Sequence, residues 1–425
     1  MRATWQIIPK FGEPGAPYAV TIMADSPEIH LKRRINLPML LLFGLGTILG
    51  AGIYVLVGEV AGKAGMLAPW SFLLAALIAG FSSFSFAEFS SRLPLSAGEA
   101  AYVNKAFARA WLSGLVGLSV AFSGIVSAAT IIHGFLGYLS VFVAVPLNLG
   151  ILLLVLILAG IAAWGIGQSV ITASLITLVE ISGLLFVVAC GADHLQGSST
   201  NWDSLLPALD EQTMAGIGSG AFIAFFAFLG FEDMVNEAEE VVNPRRNLPI
   251  AIILALAIGT SLYMLVALVA VLAVEPARLQ GSSAPLAIII KQSGYPPEII
   301  TIISLFAVIN GALIQLIMAS RVMYGMAGQN LLPKILARIN RHTQTPLVAT
   351  SVAALLILGF AWWLPLLRLA EVTTAFALFN FTLVNLALLK VKLTYPAETP
   401  IFEVPIWVPA MGALLSAAMA FLYFL

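Results

Sequence analysis

The stretch Gly44-Leu45-Gly46-Thr47-Ile48-Leu49-Gly50-Ala51-Gly52-Ile53-Tyr54 decides how this chain is read. It lies inside an apolar run from Pro38 to Gly58, long enough to cross a bilayer. Four glycines within nine residues make a poor uniform helix, because each weakens a helix interior and together they invite the backbone to open. In lipid an open backbone leaves N–H and C=O groups without water, so it persists only where protein buries it or where it lines a cavity. Gly46 and Gly50 also form a Gly-x-x-x-Gly pair, which suits a helix-packing face. On this segment alone, packing and a substrate-binding break stand as equal readings.

Composition sets the solvent. Of 425 residues, 60% are hydrophobic and 10% charged, where a soluble domain carries roughly a quarter charged. The apolar residues come in runs of about twenty, as helices that cross a bilayer require. Short alternating segments, the mark of a membrane β-barrel, are missing from the pattern. The net charge of -1 and the lack of a basic run give no sign of nucleic acid. The single cysteine, Cys190, excludes an intrachain disulfide framework and a Cys-rich metal site, and reads as a small apolar filler. Residues 1–35, rich in Pro and Gly, lack the apolar core of a secretory signal and read as a flexible tail, with Met23 an alternative start.

Eleven spanning segments follow: Pro38–Gly58, Leu67–Phe89, Trp111–Ile132, Leu139–Trp164, Ile171–Cys190, Ile217–Val241, Ile250–Val274, Glu298–Met323, Leu347–Leu364, Leu369–Leu389 and Val408–Leu425. With a cytoplasmic N-terminus, 16 Lys and Arg fall on the inner side and 4, namely Lys63, Arg278, Lys291 and Arg368, on the outer side. This bias satisfies the positive-inside rule and supports the helix count. Between the spans, Ser91–Ala110 has the amphipathic pattern of a helix lying along the cytoplasmic surface. Ala284–Gly294 is too apolar for a free loop and suits a helix packed over the outer mouth, as lid or as structural cover.

The sixth segment repeats the anomaly of the first. Phe225-Phe226-Ala227-Phe228-Leu229-Gly230-Phe231-Glu232-Asp233 sets a glycine among aromatics and then two acids at membrane depth, where charge is costly and usually paired or functional. The first and sixth segments begin two blocks of five, the second inverted because five is odd. Matching broken helices in two halves point to a transporter's binding site, and the packing-only reading of Gly50 and Gly52 recedes.

Three motifs then resemble the amino acid–polyamine–organocation superfamily of amino acid permeases. They are Ile48-Leu49-Gly50-Ala51-Gly52-Ile53-Tyr54; Phe225 to Pro249 with its Glu239-Glu240…Asn243-Pro244…Pro249 exit; and Ser320-Arg321-Val322-Met323-Tyr324-Gly325-Met326-Ala327 followed by Leu331-Leu332-Pro333 and Thr345-Pro346. The resemblance spans nearly the whole chain. It implies an all-α membrane protein with a LeuT-type 5+5 inverted repeat and broken helices 1 and 6. The implied layout is a tail over 1–35, repeats over 36–195 and 213–392, and an additional helix over 403–425. It also implies a role for the two breaks in binding an amino acid. The N–H groups of Gly50, Ala51 and Gly52, at a positive helix end, would hold an α-carboxylate. The carbonyls of Ile48, Phe226, Ala227 and Leu229 would accept from the α-ammonium. Phe228 is a candidate aromatic gate, with core packing the competing reading.

One position departs from the pattern. Glu180 stands in the fifth helix where many proton-coupled relatives carry a lysine in the space a sodium ion fills in sodium-coupled cousins. Glu180 is therefore a candidate coupling residue, as proton carrier or sodium ligand, against the alternative of a paired structural acid. Arg321 with Glu239 or Glu240 is a candidate cytoplasmic gate. Glu88 reads as an interfacial structural acid. Glu232 and Asp233 read as inner-pathway or capping groups, and Asn310, Gln315, Asn380 and Asn385 as interhelical hydrogen-bond formers. His133 stands alone near an outer helix end.

These expectations define a secondary transporter of amino acids, weakly favouring neutral or apolar ones, in the cytoplasmic membrane with a proton or sodium as coupling partner. Symport and exchange both remain open, as does a non-transporting amino-acid sensor or a subunit that needs a partner. No metal or nucleophile motif supports an enzyme, and no cofactor is expected. A channel fits poorly, because the breaks predict a closed central site.

Overall fold

The structure is a computed structural model and describes residues 33–94, 98–164, 170–196, 202–328, 331–340, 343, 345–394 and 401–424. Most of the expected tail, residues 1–32, lies outside the described residues. Sixteen α-helices stand among those described, in the order α1 Leu37–Leu49, α2 Ala51–Ala64, α3 Ala68–Arg92, α4 Gly98–Phe107, α5 Ala110–Leu139, α6 Leu147–Trp164, α7 Val170–Cys190 and α8 Ala192–Gln196. They continue as α9 Glu211–Phe225, α10 Pro244–Ala273, α11 Pro276–Gln280, α12 Pro285–Gln292, α13 Glu298–Gly328, α14 Leu347–Trp363, α15 Leu366–Thr394 and α16 Trp407–Tyr423.

Seven stretches are long and apolar enough to cross a membrane, and Ser174–Cys190, Leu347–Trp363 and Trp407–Tyr423 are shorter apolar helices. The first stretch, Leu37–Arg92, covers 56 residues, about 84 Å if straight, far beyond a hydrocarbon core of about 30 Å. It turns at Gly65, where φ is +59°, and so makes two passes. Counted this way, the passes number eleven, as the sequence predicts. The broken ones are the first, α1–α2, and the sixth, α9 with the 3-10 segments Phe226–Phe228 and Phe231–Glu237. The first is followed by four continuous passes and the sixth by five. The most extensive packing joins α5 to α13 and α3 to α10, so the third and second passes meet the eighth and seventh.

Several boundaries differ from the sequence reading. The fourth pass starts at Leu147, not Leu139. α5 runs on to Leu139, and the chain then turns before Pro146, whose ring sets the entry to α6. The sixth pass begins earlier, at Glu211, because the Asp210 carboxylate caps the helix by accepting the Thr213 N–H at 2.9 Å. The predicted surface helix is α4. It is docked into the bundle rather than merely laid on it, with Tyr102 and Val103 fully buried. The predicted outer cover is α12, which buries Leu286, Ile289 and Ile290, while Leu279 of α11 presses on Gly58 of α2.

The chain is not free up to residue 35. The N–H groups of Arg34 and Ile35 donate to the Glu240 carbonyl at 2.8 and 3.0 Å, and Val242 donates to the Ile35 carbonyl at 2.9 Å. These bonds tie the entry of α1 to the exit of the sixth pass. Below them Glu88, fully buried, takes Arg92 at 2.6 Å, Lys392 at 2.9 Å and the Val404 N–H at 2.8 Å. The structural role expected of Glu88 is the one its partners describe: it joins α3, α15 and the lead-in to α16.

Candidate functional site

The two breaks lie against each other. α1 ends at Leu49, Gly50 adopts φ -57° and ψ -138°, and α2 restarts at Ala51 with no side chain capping its first turn. Opposite, the 3-10 turn Phe226–Phe228 gives way to an extended Leu229 and to Gly230 with φ +123°, a conformation that a residue with a Cβ rarely adopts. A methyl group at Gly230 would also stand 2.5 Å from the Thr47 carbonyl oxygen, and one at Gly52 would stand 2.2 Å from the Cα of Ala227. The glycines therefore allow main chain to touch main chain across the break. Gly46 and Gly44 serve packing, against Thr177 and Met234. Close helix packing and an opened backbone thus both occur in the glycine stretch, at different glycines.

Side chains fasten the contact. The Thr47 hydroxyl lies 2.9 Å from the carbonyls of both Gly44 and Gly230. Tyr263 of α10 is fully buried, and its hydroxyl lies 2.6 Å from the Ile48 carbonyl and 2.9 Å from the Ala227 carbonyl. The Tyr54 hydroxyl donates to the Glu180 carbonyl at 2.8 Å, and the Tyr138 hydroxyl to the Tyr54 carbonyl at 2.5 Å. The tyrosines hold α2, α5, α7 and α10 in register around the opening.

A small cavity of about 30 Å³ opens at the breaks, room for a few water molecules and below the usual size of small-molecule sites. The broken passes give it Thr47, Ile48, Gly50, Gly52, Phe226 and Leu229. The continuous helix α5 gives Ser127 and Ile131, and α13 gives Gly311, Ile314 and Gln315. No charged side chain is among these lining residues.

Of the predicted binding residues, Ile48, Gly50, Gly52, Phe226 and Leu229 line the cavity. Ala51 contributes main chain in the first turn of α2. Ala227 sits behind Gly52 instead of lining the space. Phe228, the candidate gate, is fully buried, its ring 5.1 Å from that of Tyr263 and inclined at 65°, and Phe226 is the aromatic that lines the cavity. A 3-10 turn of three residues separates successive side chains by about 120°, which is why the choice between neighbouring aromatics could not be made by position. The carbonyls of Ile48 and Ala227 already hold Tyr263, and that of Phe226 accepts the Leu229 N–H at 3.3 Å, so an ammonium would use their remaining lone pairs. The sequence reading missed Tyr263, Thr47, Ser127, Ile131 and the Gly311–Gln315 group. The i, i+3, i+4 spacing of Gly311, Ile314 and Gln315 is the signal that could have found the last.

Glu180 is buried, 1% exposed, and among the described residues neither carboxyl oxygen has a hydrogen-bond partner. At the other end of the sixth pass, the Glu232 carboxylate accepts the Gly230 N–H at 2.8 Å. The Asp233 carboxylate accepts from the Gln315 amide at 3.4 Å. Arg321 is exposed and acts on Glu237, while Glu240 contributes its main chain to the pairing with Ile35.

The sequence profile of the amino acid permease family matches residues 35–425. The chain is 32% identical over 400 residues to the vacuolar cationic amino acid transporter 2 of Arabidopsis thaliana, covering 88% of this chain and 62% of that protein. It thus spans about three fifths of the plant relative's length. It is 28% identical to the branched-chain amino acid permease BcaP of Bacillus subtilis (strain 168), covering 90% of this chain and 86% of the permease. It is likewise 28% identical to the methylthioribose transporter of the same organism, covering 91% and 87%. Membership of a family of carriers, not of enzymes, follows from a match over nearly every described residue. The chain belongs to the amino acid permease family of the amino acid–polyamine–organocation superfamily.

Proposed function

We propose that the protein carries neutral, apolar amino acids across the cytoplasmic membrane by alternating access, with its N-terminus in the cytoplasm. The observation that carries this reading is the cavity at the touching breaks, which joins exposed main chain to an uncharged wall. The N–H groups of Gly50, Ala51 and Gly52 receive the α-carboxylate at the start of α2, where the helix dipole is positive. The carbonyls of Ile48, Phe226, Ala227 and Leu229 receive the α-ammonium. Ile131, Phe226, Leu229 and Ile314 offer an apolar surface for the side chain. Uptake of radiolabelled leucine, alanine and lysine into proteoliposomes tests the reading: leucine or alanine should accumulate and lysine should not.

A second reading has its own support. The plant relative is named a cationic amino acid transporter, and Asp233 is reached from the cavity through Gln315. Lysine uptake in preference to leucine would favour it. For coupling, Glu180 is the residue we assign, because a buried carboxyl without partners can take up a proton or a sodium ion on each cycle. Imposing a pH gradient and a sodium gradient separately distinguishes the two ions.

A further inference from the structure

Glu99 lies outside both the cavity and the Glu180 region, and the transport reading makes no use of it. α4 begins at Gly98, where φ is +49°, and a methyl group there would stand 2.8 Å from the Asn236 amide oxygen. The start of α4 therefore rests directly on the segment Phe231–Glu237 of the broken sixth pass. Glu99, the next residue, is 8% exposed. Three residues on, and so on the same helix face, Tyr102 is fully buried and stacks on Phe89 with ring centres 4.5 Å apart. Among the described residues its hydroxyl has no hydrogen-bond partner, and it feels the charge of Glu99. A buried hydroxyl left in this way costs about 1–3 kcal/mol.

The charges that bear on Glu99 are acidic. From Phe231–Glu237, Asp233 acts directly on Glu99, and Glu232 feels Glu99 in turn. Glu237 feels the charge of Glu240 and, less strongly, that of Arg321 of α13. The cations of neighbouring helices are committed elsewhere. Arg92 of α3 and Lys392 of α15 hold Glu88, and the Lys390 ammonium lies over the Phe107 ring at 4.6 Å. α5 carries only His133, at its far end beside Ala361. Two buried carboxylates on packed elements, each feeling the other's charge, cannot both ionise cheaply. Among the described residues no three His, Cys, Asp or Glu side chains converge to hold a metal ion, whereas a single proton relieves the repulsion.

We infer that Glu99 and Asp233 form a proton-binding site that seals α4 onto the inner part of the broken sixth pass, and that release of the proton loosens this seal. Burial, aided by the charge of Asp233, pushes the Glu99 carboxyl up to about 8 from its ordinary 4.5. Below the ordinary value Glu99 is protonated in folded and unfolded chains alike. As pH rises from there to about 8, only the unfolded chain ionises, so the contribution of Glu99 to stability is lost over that window.

Thermal unfolding of the purified full chain in detergent, without substrate, between about pH 5 and about pH 9 tests this. Wild type should fall below Glu99→Gln as pH rises, by several degrees at the alkaline end, and the two should converge at acid pH. In an Asp233→Asn background the gap should shrink, because the repulsion that raises Glu99 is gone. Parallel curves, or a gap untouched by Asp233→Asn, would overturn the inference. So would a gap closed by sodium chloride but not by matched choline chloride, which would identify a metal cation in place of the proton. Should Glu99→Gln fail to fold, amide exchange over residues 98–107 of wild type, corrected for intrinsic base catalysis, decides the same question. It should rise between about pH 6 and about pH 9, and no rise contradicts the proposal. None of these measurements involves transport, so their failure and that of the transport reading are separable.

Discussion

The hydroxyl of Tyr263 lies 2.6 Å from the carbonyl oxygen of Ile48, and the same hydroxyl lies 2.9 Å from the carbonyl of Ala227. One phenol in the seventh pass thus spans both broken passes, and with a single proton it satisfies one carbonyl at a time. Its ring is fixed by Phe72 at 5.9 Å and Phe228 at 5.1 Å. Tyr263→Phe keeps that packing and removes only the bridge. We expect a folded protein, destabilised by about 1 kcal/mol for the lost buried hydrogen bond. Apparent substrate affinity should drop by about tenfold, since about 1.4 kcal/mol of preorganisation is that factor. Equilibrium binding beside a thermal melt checks both.

The close approach of the breaks makes a second prediction. Gly52→Ala places a methyl 2.2 Å from the Ala227 Cα, where main chain cannot yield. Uptake should be lost, with destabilisation of about 1–3 kcal/mol from overpacking. Gly160→Ala, on the exposed face of α6 with nothing within 4 Å, should be silent in both assays.

Glu180→Gln removes the charge from a buried side chain whose oxygens have no partners. The variant should fold at least as well as wild type, because no hydrogen bond is broken. Uptake should lose its dependence on the driving ion while exchange of substrate against substrate persists. Unchanged pH and sodium dependence would remove Glu180 from the coupling role.

Glu88 offers the opposite case. Its carboxylate meets Arg92 and Lys392 at 2.6 and 2.9 Å while fully buried. Glu88→Gln leaves Arg92 and Lys392 with only the half-exposed Glu403 carboxylate, at 3.6 and 3.0 Å, as counter-charge, and should cost somewhat less than the about 3–5 kcal/mol of a wholly unpaired buried charge, read as lower expression and an earlier melt. Binding by the folded fraction should be unaltered.

What was legible in the sequence follows from which signals are local. Apolar run length and Lys/Arg bias are one-dimensional, so the eleven passes could be read from them. Glycine marked both breaks, as a cluster in the first and as the single Gly230 in the sixth, because an opened backbone needs residues without a Cβ. The α5–α6 boundary was misplaced because Val141 to Pro146 is as apolar as a helix, and only the turn after Leu139 separates the two. Phe228 and Phe226 could not be told apart, since the direction of a side chain in a 3-10 turn depends on what packs against it. Tyr263 was invisible for a different reason. It lies in an unremarkable continuous helix, and its partners are main-chain atoms 215 and 36 residues away. Glu99 was hidden inside a segment with the pattern of a surface helix, whose buried face appears only once α4 is docked.

The central claim is that an amino acid binds between the breaks through both its α-carboxylate and its α-ammonium. Thermal stabilisation of the purified protein by leucine, beside 3-methylbutylamine and 4-methylpentanoate, tests it most directly. The last two keep the side chain but lack one charged group each. At about 100 times its dissociation constant a ligand adds roughly 2.7 kcal/mol to a reversible unfolding equilibrium. A clear shift with leucine, abolished in both analogues and weakened in Tyr263→Phe, is the predicted result. Equal shifts with an analogue that lacks the carboxylate or the ammonium would contradict the claim.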